Sequence, residues 1–194
     1  MDVSKVAMHD TSISVEASRA DHARMTRSLG PADFAAPIHD RWFADYMTGA
    51  WYEYGHLDVD EEEILRFAKE FDPQPIHTDP GFARSGPFGG IIASGWHTAG
   101  LAMRLLADHY LSRVASLASP GIDELRWRVP LRPGDRVHLR ATVLDTRPSR
   151  SKPDRGLVVT HVELLNQDGG VPIAFRAMNL LAVRPDRRSP SGSA

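Results

Sequence analysis

The chain has 194 residues, of which 42% are hydrophobic and 25% are charged, and its formal net charge is −2. This composition is typical of one soluble globular domain with extensions, and the balanced charge predicts no nucleic-acid partner. The sequence has no cysteine, no apolar run of membrane-spanning length and no secretory leader, which excludes disulfides and thiolate chemistry and predicts a cytoplasmic protein without a membrane partner.

Both ends of the chain differ in composition from its middle. Residues 1–40 scatter hydrophobic positions among polar ones without a sustained period, which predicts a flexible N-terminal extension. Residues 184–194 are rich in arginine, serine and proline and predict a disordered C-terminal tail. One compact domain is therefore expected over residues 41–183.

The first predicted elements are a strand and a helix. Aromatic residues alternate over residues 50–56, which is typical of a strand. A helix is predicted to follow Asp60, because aspartate caps free N–H groups and the acidic residues after it suit the positive end of the helix dipole. The apolar face of this helix is predicted to consist of Ile64, Leu65, Phe67, Ala68 and Phe71. Two prolines end the helix at Asp72-Pro73-Gln74-Pro75.

A second, longer helix is predicted from Ile92 to about Leu111. Its residues are small or apolar nearly all round, which predicts burial on most sides. Four strands are predicted after it, over residues 121–129, 136–146, 156–166 and 172–183. This order of elements predicts an α+β fold, in which a curved antiparallel sheet wraps around one central helix.

Asp72 and His77 are the candidate catalytic residues. They flank a turn that Pro73 and Pro75 make rigid, and a rigid turn can hold a carboxylate and an imidazole toward one small volume. Such a pair can bind one water between a base and a donor, which the addition of water to a double bond requires. By spacing alone, the same residues also fit a turn-forming aspartate and a surface histidine.

This segment resembles the MaoC-like dehydratase family, which includes R-specific enoyl-CoA hydratases. The family pattern Asp-x-Asn-Pro-x-His and the Asp-Pro-x-Phe-Ala stretch after it are matched by Asp72, Pro75, His77, Asp79, Pro80, Phe82 and Ala83. The positions that open the family's central helix correspond to Phe88, Ile92-Ala93 and Ser94-Gly95-Trp96. Residues 41–49 and 129–135 resemble the family's upstream segment and its Pro-Gly-Asp turn, so the resemblance covers roughly residues 41–183.

The resemblance implies a hot-dog fold that pairs into a homodimer or a higher homo-oligomer. It also implies an active site containing Asp72 and His77, with the backbone N–H of Gly95 binding the oxyanion. The physical reason for a glycine there is independent of the family. A glycine in the first turn of a helix lets a thioester carbonyl approach a free N–H at the positive end of the dipole.

Several residues depart from the family pattern and are candidates for substrate binding. Gln74 replaces an asparagine and still offers an amide, and Ser94 replaces the histidine that opens the helix. Trp96 fits either a core aromatic or a wall of the acyl pocket. His97 is interpreted as a polar residue whose hydrogen bonds are satisfied near the start of the helix.

Two further features of the sequence bear on ligand binding. The loop over residues 147–156 is basic and broken by prolines, which fits either a solvated loop or a site where Arg150 and Lys152 bind coenzyme A phosphates. No metal is expected, because the histidines lack a ligand spacing and hydration of an unsaturated thioester needs no metal. Asp79 is predicted to cap a short helix that begins at Pro80.

The sequence therefore predicts a hydro-lyase that adds or removes water across the C2–C3 bond of an enoyl-CoA. The expected substrate is an acyl-CoA thioester, and no cofactor is expected. Two alternatives stay open, a hot-dog acyl-CoA thioesterase and a non-catalytic subunit that binds acyl groups. Retention of both Asp72 and His77 argues against the second alternative.

Overall fold

The computed structural model describes Phe34 and residues 36–185. Most of the predicted N-terminal extension and the tail from residue 186 onward lie outside the described part of the chain. Within that part, no helix has both the length and the apolar content needed to cross a membrane.

The fold centres on one five-stranded antiparallel sheet. Its strands are β1 (Trp51–Asp58), β2 (Ser116–Trp127), β3 (Arg136–Pro148), β4 (Arg155–Leu165) and β5 (Ile173–Ala182). Their order across the sheet is β1-β3-β4-β5-β2, so β1 and β2 form the two edges. All four predicted C-terminal strands are present, and the predicted antiparallel fold is confirmed. The observed β2 begins earlier than its predicted start at residue 121.

The inner face of the sheet forms the hydrophobic core. Alternate residues of β3 are buried, as the period of two in a strand requires, and Val137, Leu139, Ala141 and Val143 are fully enclosed. Phe34 also belongs to this core, since its ring stacks on that of Tyr52 with centroids 4.3 Å apart. The packed part of the chain therefore extends back to Phe34.

Helix α1 (Glu61–Phe71) begins where the sequence predicts. The Asp60 carboxylate accepts a hydrogen bond from the backbone N–H of Glu63, as an N-cap does. Ile64 and Ala68 are buried against the core. The predicted apolar face is wrong at its end, because Phe71 is 64% exposed where the helix stops.

Two short helices follow α1 where the sequence predicts only a turn and one helix. They are α2 (Pro75–Thr78) and α3 (Pro80–Ser85), and each begins with a proline, whose missing N–H costs nothing at a first helical position. The Asp79 carboxylate accepts from the N–H groups of Gly81 and Phe82, which confirms the predicted cap. The catalytic candidate His77 therefore lies on a helix and not in a loop.

The central helix α4 (Gly95–Leu105) begins three residues later than predicted and continues into a π-helical turn (Leu106–Tyr110). The later start follows from Ser94, whose hydroxyl caps the helix by accepting from the N–H of Trp96. The prediction that this helix is buried on most sides is only partly correct. One face of α4 packs on the sheet, whereas Trp96, Gly100 and Met103 on the other face are exposed.

Candidate active site

A cavity of about 410 Å³ opens beside the N-terminal end of α4. Its polar part is lined by Asp72, Gln74 and His77, and its apolar wall includes Phe88, Ile92 and Leu131. The more exposed side chains of Trp96, Trp127 and Arg128 complete the lining. A mostly apolar cavity with a few polar groups on one side is the usual form of a small-molecule site.

Asp72 lies at the C-terminal end of α1 and is held by two donors. Its Oδ2 accepts a hydrogen bond of 2.6 Å from the Ser94 hydroxyl, and its Oδ1 accepts one of 2.7 Å from the Gln74 amide. The bond from Ser94, followed by that from Gln74, lowers the pKa of Asp72 below its usual value. The Asp72 side chain is therefore an ionised, fixed hydrogen-bond acceptor.

His77 is buried on α2 and faces Asp72. Its Nδ1 lies 2.9 Å from the carbonyl oxygen of Ile92. Because a carbonyl oxygen only accepts, Nδ1 carries the proton, and in the neutral ring Nε2 is left with a lone pair. This Nε2 lies 3.5 Å from Oδ2 of Asp72. The carboxylate and the free ring nitrogen thus meet at one point of the cavity lining, close enough to share a water molecule.

Gly95 lines the same cavity as the first residue of α4. The first N–H groups of a helix have no acceptor within the helix, so the N–H of Gly95 is available to a ligand. The structure adds a second reason for this glycine. A Cβ atom at residue 95 would lie 2.5 Å from Cε2 of Trp127, because the indole packs directly against the glycine.

The sequence predicts that Ser94 and Gln74 bind substrate, and in the structure the two residues occupy different positions relative to the cavity. Gln74 lines the cavity, whereas Ser94 is fully buried behind Asp72. The Ser94 hydroxyl donates to Asp72 while it accepts from the backbone N–H of Trp96. Ser94 therefore connects the Asp72 carboxylate with the start of the central helix, and its contacts are with the protein.

Trp96 is a cavity wall and not a core aromatic. It is 61% exposed and meets the ring of Trp127 edge to face, with centroids 5.6 Å apart. Its exposure rules out the interpretation as a core aromatic, and a role in contacting an acyl group stays a prediction.

Arg150 and Lys152 are exposed and are absent from the cavity lining. They lie in the β3–β4 loop, beside the start of β4, where Arg155 pairs with Ala182. Trp127 lies at the opposite end of the sheet, next to Ile173, which pairs with Leu164 near the end of β4. About 30 Å of strand separates the two ends, at roughly 3.3 Å per residue. Within one chain, this loop does not contribute to the site.

His97 is buried on α4 but points away from the cavity lining, toward α1. Its ring stacks on Phe67 with centroids 4.8 Å apart. Its Nδ1 has no hydrogen-bond partner, so the expectation that its hydrogen bonds are satisfied is wrong for this atom. Burial lowers the pKa of His97 below its ordinary value of 6.5, since desolvation disfavours the charged ring. Among the described residues, no group of three or more potential ligands could hold a metal ion.

The buried His97 predicts an acid-sensitive stability. Because its pKa is lowered in the folded state, the unfolded chain binds more protons below pH 6.5, and stability is lost as the pH falls through that range. His97→Phe keeps the stacking on Phe67 and removes the titrating group. We expect a smaller loss of melting temperature from pH 7.5 to pH 5, and a gain of about 1–3 kcal/mol at pH 7.5 from removing the unpaired atom.

Thermal melts across this pH range test the expectation. The exposed His39 provides the matched control, because His39→Gln should leave the slope of melting temperature against pH as in the wild type. An unchanged slope in His97→Phe would show that other groups, such as His138, whose pKa burial also lowers, carry the acid sensitivity.

Sequence reasoning missed the cavity residues that come from the end of β2 and the segment after it. Trp127, Arg128 and Val129 line the cavity, and none of them is among the candidate site residues that the sequence predicts. The segment reaches α4 because the carbonyl of Leu131 accepts from the N–H of Ala93 at 2.8 Å. The available signal was the pair of tryptophans, Trp96 and Trp127, next to segments that resemble the family.

Comparisons with known proteins bear on the family of this chain. The family model for the MaoC like domain matches residues 47–164, which is more than half of the chain. The 3-hydroxyacyl-thioester dehydratase Z of Mycobacterium tuberculosis is 32% identical over 126 residues, which cover 62% of this chain and 83% of that protein. The 3-hydroxybutyryl-CoA dehydratase of Methylorubrum extorquens is 32% identical over 116 residues, which cover 57% of this chain and 69% of that protein.

A solved structure shows the same architecture. The crystal structure of the MaoC-like dehydratase from Rhodospirillum rubrum superposes with a TM-score of 0.69 at 39% sequence identity, over 75% of this chain and 99% of that one. The matched family model, the antiparallel sheet with its central helix and this neighbour all point to one conclusion. The chain belongs to the MaoC-like dehydratase family and has its hot-dog fold.

Proposed function

We propose that this protein is a hydro-lyase that adds water to, or removes it from, the C2–C3 bond of an α,β-unsaturated acyl-CoA. The observation that carries the proposal is the pairing of Asp72 with the free Nε2 of His77 beside an apolar cavity. The two dehydratases that resemble this chain act, by their names, on 3-hydroxyacyl thioesters. Their chemistry fits the same pair of groups.

The roles of the two residues follow from their hydrogen bonds. Asp72 only accepts, and Nε2 of neutral His77 also accepts, so one water can donate one hydrogen to each. Its oxygen lone pair is then free to attack C3. Asp72 is held ionised by Ser94 and Gln74, which makes it a weak base, so we assign the proton to Nε2 of His77.

The reaction balances with these groups alone. The water O–H bond breaks toward Nε2 of His77 while the C3–O bond forms, and the electron pair of the double bond moves toward the thioester oxygen. The N–H of Gly95 stabilises the resulting enolate. The His77 imidazolium, 3.5 Å from the Asp72 carboxylate, then gives its proton to C2. Dehydration is the reverse of these steps.

Arg128 is the cation that best fits an anionic part of the substrate. It lines the cavity, its side chain is about half exposed, and Glu163 lies 3.9 Å away. A guanidinium binds phosphate oxygens in a two-pronged geometry. In this proposal Arg128 takes the role that the sequence suggested for Arg150 and Lys152.

Two measurements on crotonyl-CoA test the function. We expect the enoyl absorbance of crotonyl-CoA to fall on hydration without release of free thiol. In the reverse reaction, 3-hydroxybutyryl-CoA should regenerate the enoyl absorbance. Release of free coenzyme A would support the thioesterase alternative instead. If a folded protein shows neither hydration nor thiol release with several enoyl-CoA substrates, the enzymatic proposal is contradicted.

We also propose that the protein acts as a homodimer through the exposed face of α4 and the edge strand β2. Trp96, Gly100 and Met103 follow one another at helical spacing on this face. The edge of β2 leaves unpaired backbone groups, and its Leu117 and Ile122 are exposed. Proteins tend to cover such edges and apolar faces. Because Trp96 also lines the cavity, a second copy would lie next to the site.

A charge on this face should weaken the dimer. We expect the wild type to scatter light as twice the 21.5 kDa chain, and Met103→Glu to shift toward the monomer by burying a charge at the interface. Met47→Glu is the matched control, because Met47 is equally exposed but precedes β1, at the other edge of the sheet. A monomeric wild type at micromolar concentration would overturn the dimer.

A further inference from the structure

Trp127 packs against the residue that the proposed mechanism assigns to the thioester oxygen. The indole Nε1–H donates a 2.9 Å hydrogen bond to the carbonyl of Gly95. Its ring atoms Cε2, Nε1 and Cζ2 would lie 2.5, 2.7 and 2.9 Å from a Cβ at residue 95. The indole therefore fills the space beside Gly95 that a side chain would otherwise occupy.

The indole is fixed from several sides. The ring of Trp96 meets the indole edge to face. The backbone of Trp127 pairs with Ile173 of β5. The next residue is anchored as well, since the N–H of Arg128 donates to the carbonyl of Pro172 at 3.1 Å. These contacts and the hydrogen bond to Gly95 place the indole at the cavity wall, with about half of the residue exposed.

A strained bulge in β2 precedes this tryptophan. The register with β5 shifts between Asp123 and Arg126, and Glu124 within the bulge has a φ of 54°, which is uncommon for a residue other than glycine. The Glu124 carboxylate forms a 2.9 Å ion pair with Arg176 of β5. Bulges beside active sites commonly re-aim a side chain. Here the bulge lies directly before Trp127, the last residue of β2.

We propose that Trp127 determines substrate specificity by excluding acyl groups that branch at C2. The inference rests on the proposed function, in which the N–H of Gly95 holds the thioester oxygen. C2 is bonded to the carbonyl carbon, so a branch at C2 is the acyl substituent nearest to Gly95 and to the indole packed on it. A branch at C3 or beyond lies farther from this wall. The favoured substrates are thioesters with an unbranched C2.

Binding of saturated, unreactive thioesters tests the wall separately from catalysis. Calorimetry would compare butyryl-CoA, 2-methylbutyryl-CoA and 3-methylbutyryl-CoA on the wild type and on Trp127→Ala. We expect the wild type to bind the 2-methyl compound more weakly than butyryl-CoA by about 10-fold or more, the usual effect of a methyl group that a pocket rejects. Trp127→Ala should remove most of the preference for butyryl-CoA over the 2-methyl compound. The preference for butyryl-CoA over the 3-methyl compound should change much less.

Two further variants separate the possible causes. Trp127→Phe keeps an aromatic wall without the N–H donor and should retain most of the preference. Trp51→Ala removes a tryptophan of β1, where the indole lies 5.4 Å from the Arg140 guanidinium, and should change nothing in binding. Melting temperatures and light scattering would confirm that each variant keeps the fold and assembly of the wild type.

The outcomes distinguish this inference from the proposed function. Hydration activity with a preference that Trp127→Ala leaves unchanged would overturn the inference and leave the function intact. Selective binding without hydration would support the wall and contradict the function. Two further results would overturn the inference. One is an equal gain in affinity of Trp127→Ala for the 2-methyl and 3-methyl compounds, and the other is no binding of any of the three thioesters.

Discussion

Replacing His77 with glutamine is expected to lower the turnover number for hydration of an enoyl-CoA by about 10²–10⁴-fold, the usual contribution of a general base. Nε2 of His77 holds the lone pair that takes the proton of the water, and glutamine offers only an amide there. The fold should persist, because the amide can still donate to the carbonyl of Ile92. Steady-state rates of crotonyl-CoA hydration, with circular dichroism of each variant, make the measurement.

Asp72→Asn should also lose activity, because the neutral amide accepts a hydrogen of the water more weakly and does not stabilise the imidazolium by charge. Residues that act as a unit lose little more when both are removed. The double variant is therefore expected to be no slower than His77→Gln alone. His39→Gln provides the control for an exposed histidine outside the site. A folded His77→Gln protein with more than about a tenth of wild-type turnover would remove His77 from the mechanism.

The sheet and the first helix could be predicted because their signals are local. Alternation over β3 and β4 follows the pleat of a strand, and Asp60 marks the start of α1 through its own hydrogen bond. The start of α4 was placed too early because Ile92 and Ala93 are apolar like the helix, although Ser94 is the residue that caps it.

The site was predictable only where its residues are close in sequence. Asp72 and His77 are five residues apart, so the short connection from the end of α1 into α2 limits the distance between them. Trp127 was missed because its place in the cavity lining depends on the strand order, which brings the end of β2 next to Gly95 of α4. Arg150 and Lys152 were assigned by charge, and charge alone does not tell at which end of the sheet a loop lies.

The exposed face of α4 shows the same limit. An apolar composition on all sides predicts burial, but it does not tell whether the cover comes from the same chain. Here the sheet covers one face, and Met103 and its neighbours are left exposed. The sequence pattern is therefore explained by the proposed dimer better than by the single chain.

Gly95→Val is expected to lower turnover by about 10²–10³-fold, the scale of a lost oxyanion donor. The side chain would stand next to the N–H that meets the enolate oxygen. The structure also predicts a second effect, because the new Cβ would lie 2.5 Å from the Trp127 ring and must displace it. A loss of activity in this variant alone therefore does not show which effect is responsible.

Combining Gly95→Val with Trp127→Ala separates the two effects. Without the indole the valine has room, so the double variant should recover most of the melting temperature that Gly95→Val loses. If the thioester oxygen must approach the backbone N–H of residue 95, the double variant should still turn over crotonyl-CoA about 10²-fold more slowly than Trp127→Ala alone. If the glycine serves only to accommodate Trp127, the two rates will be equal. In that case the enolate oxygen is held by another donor, and the mechanism proposed for Gly95 is wrong.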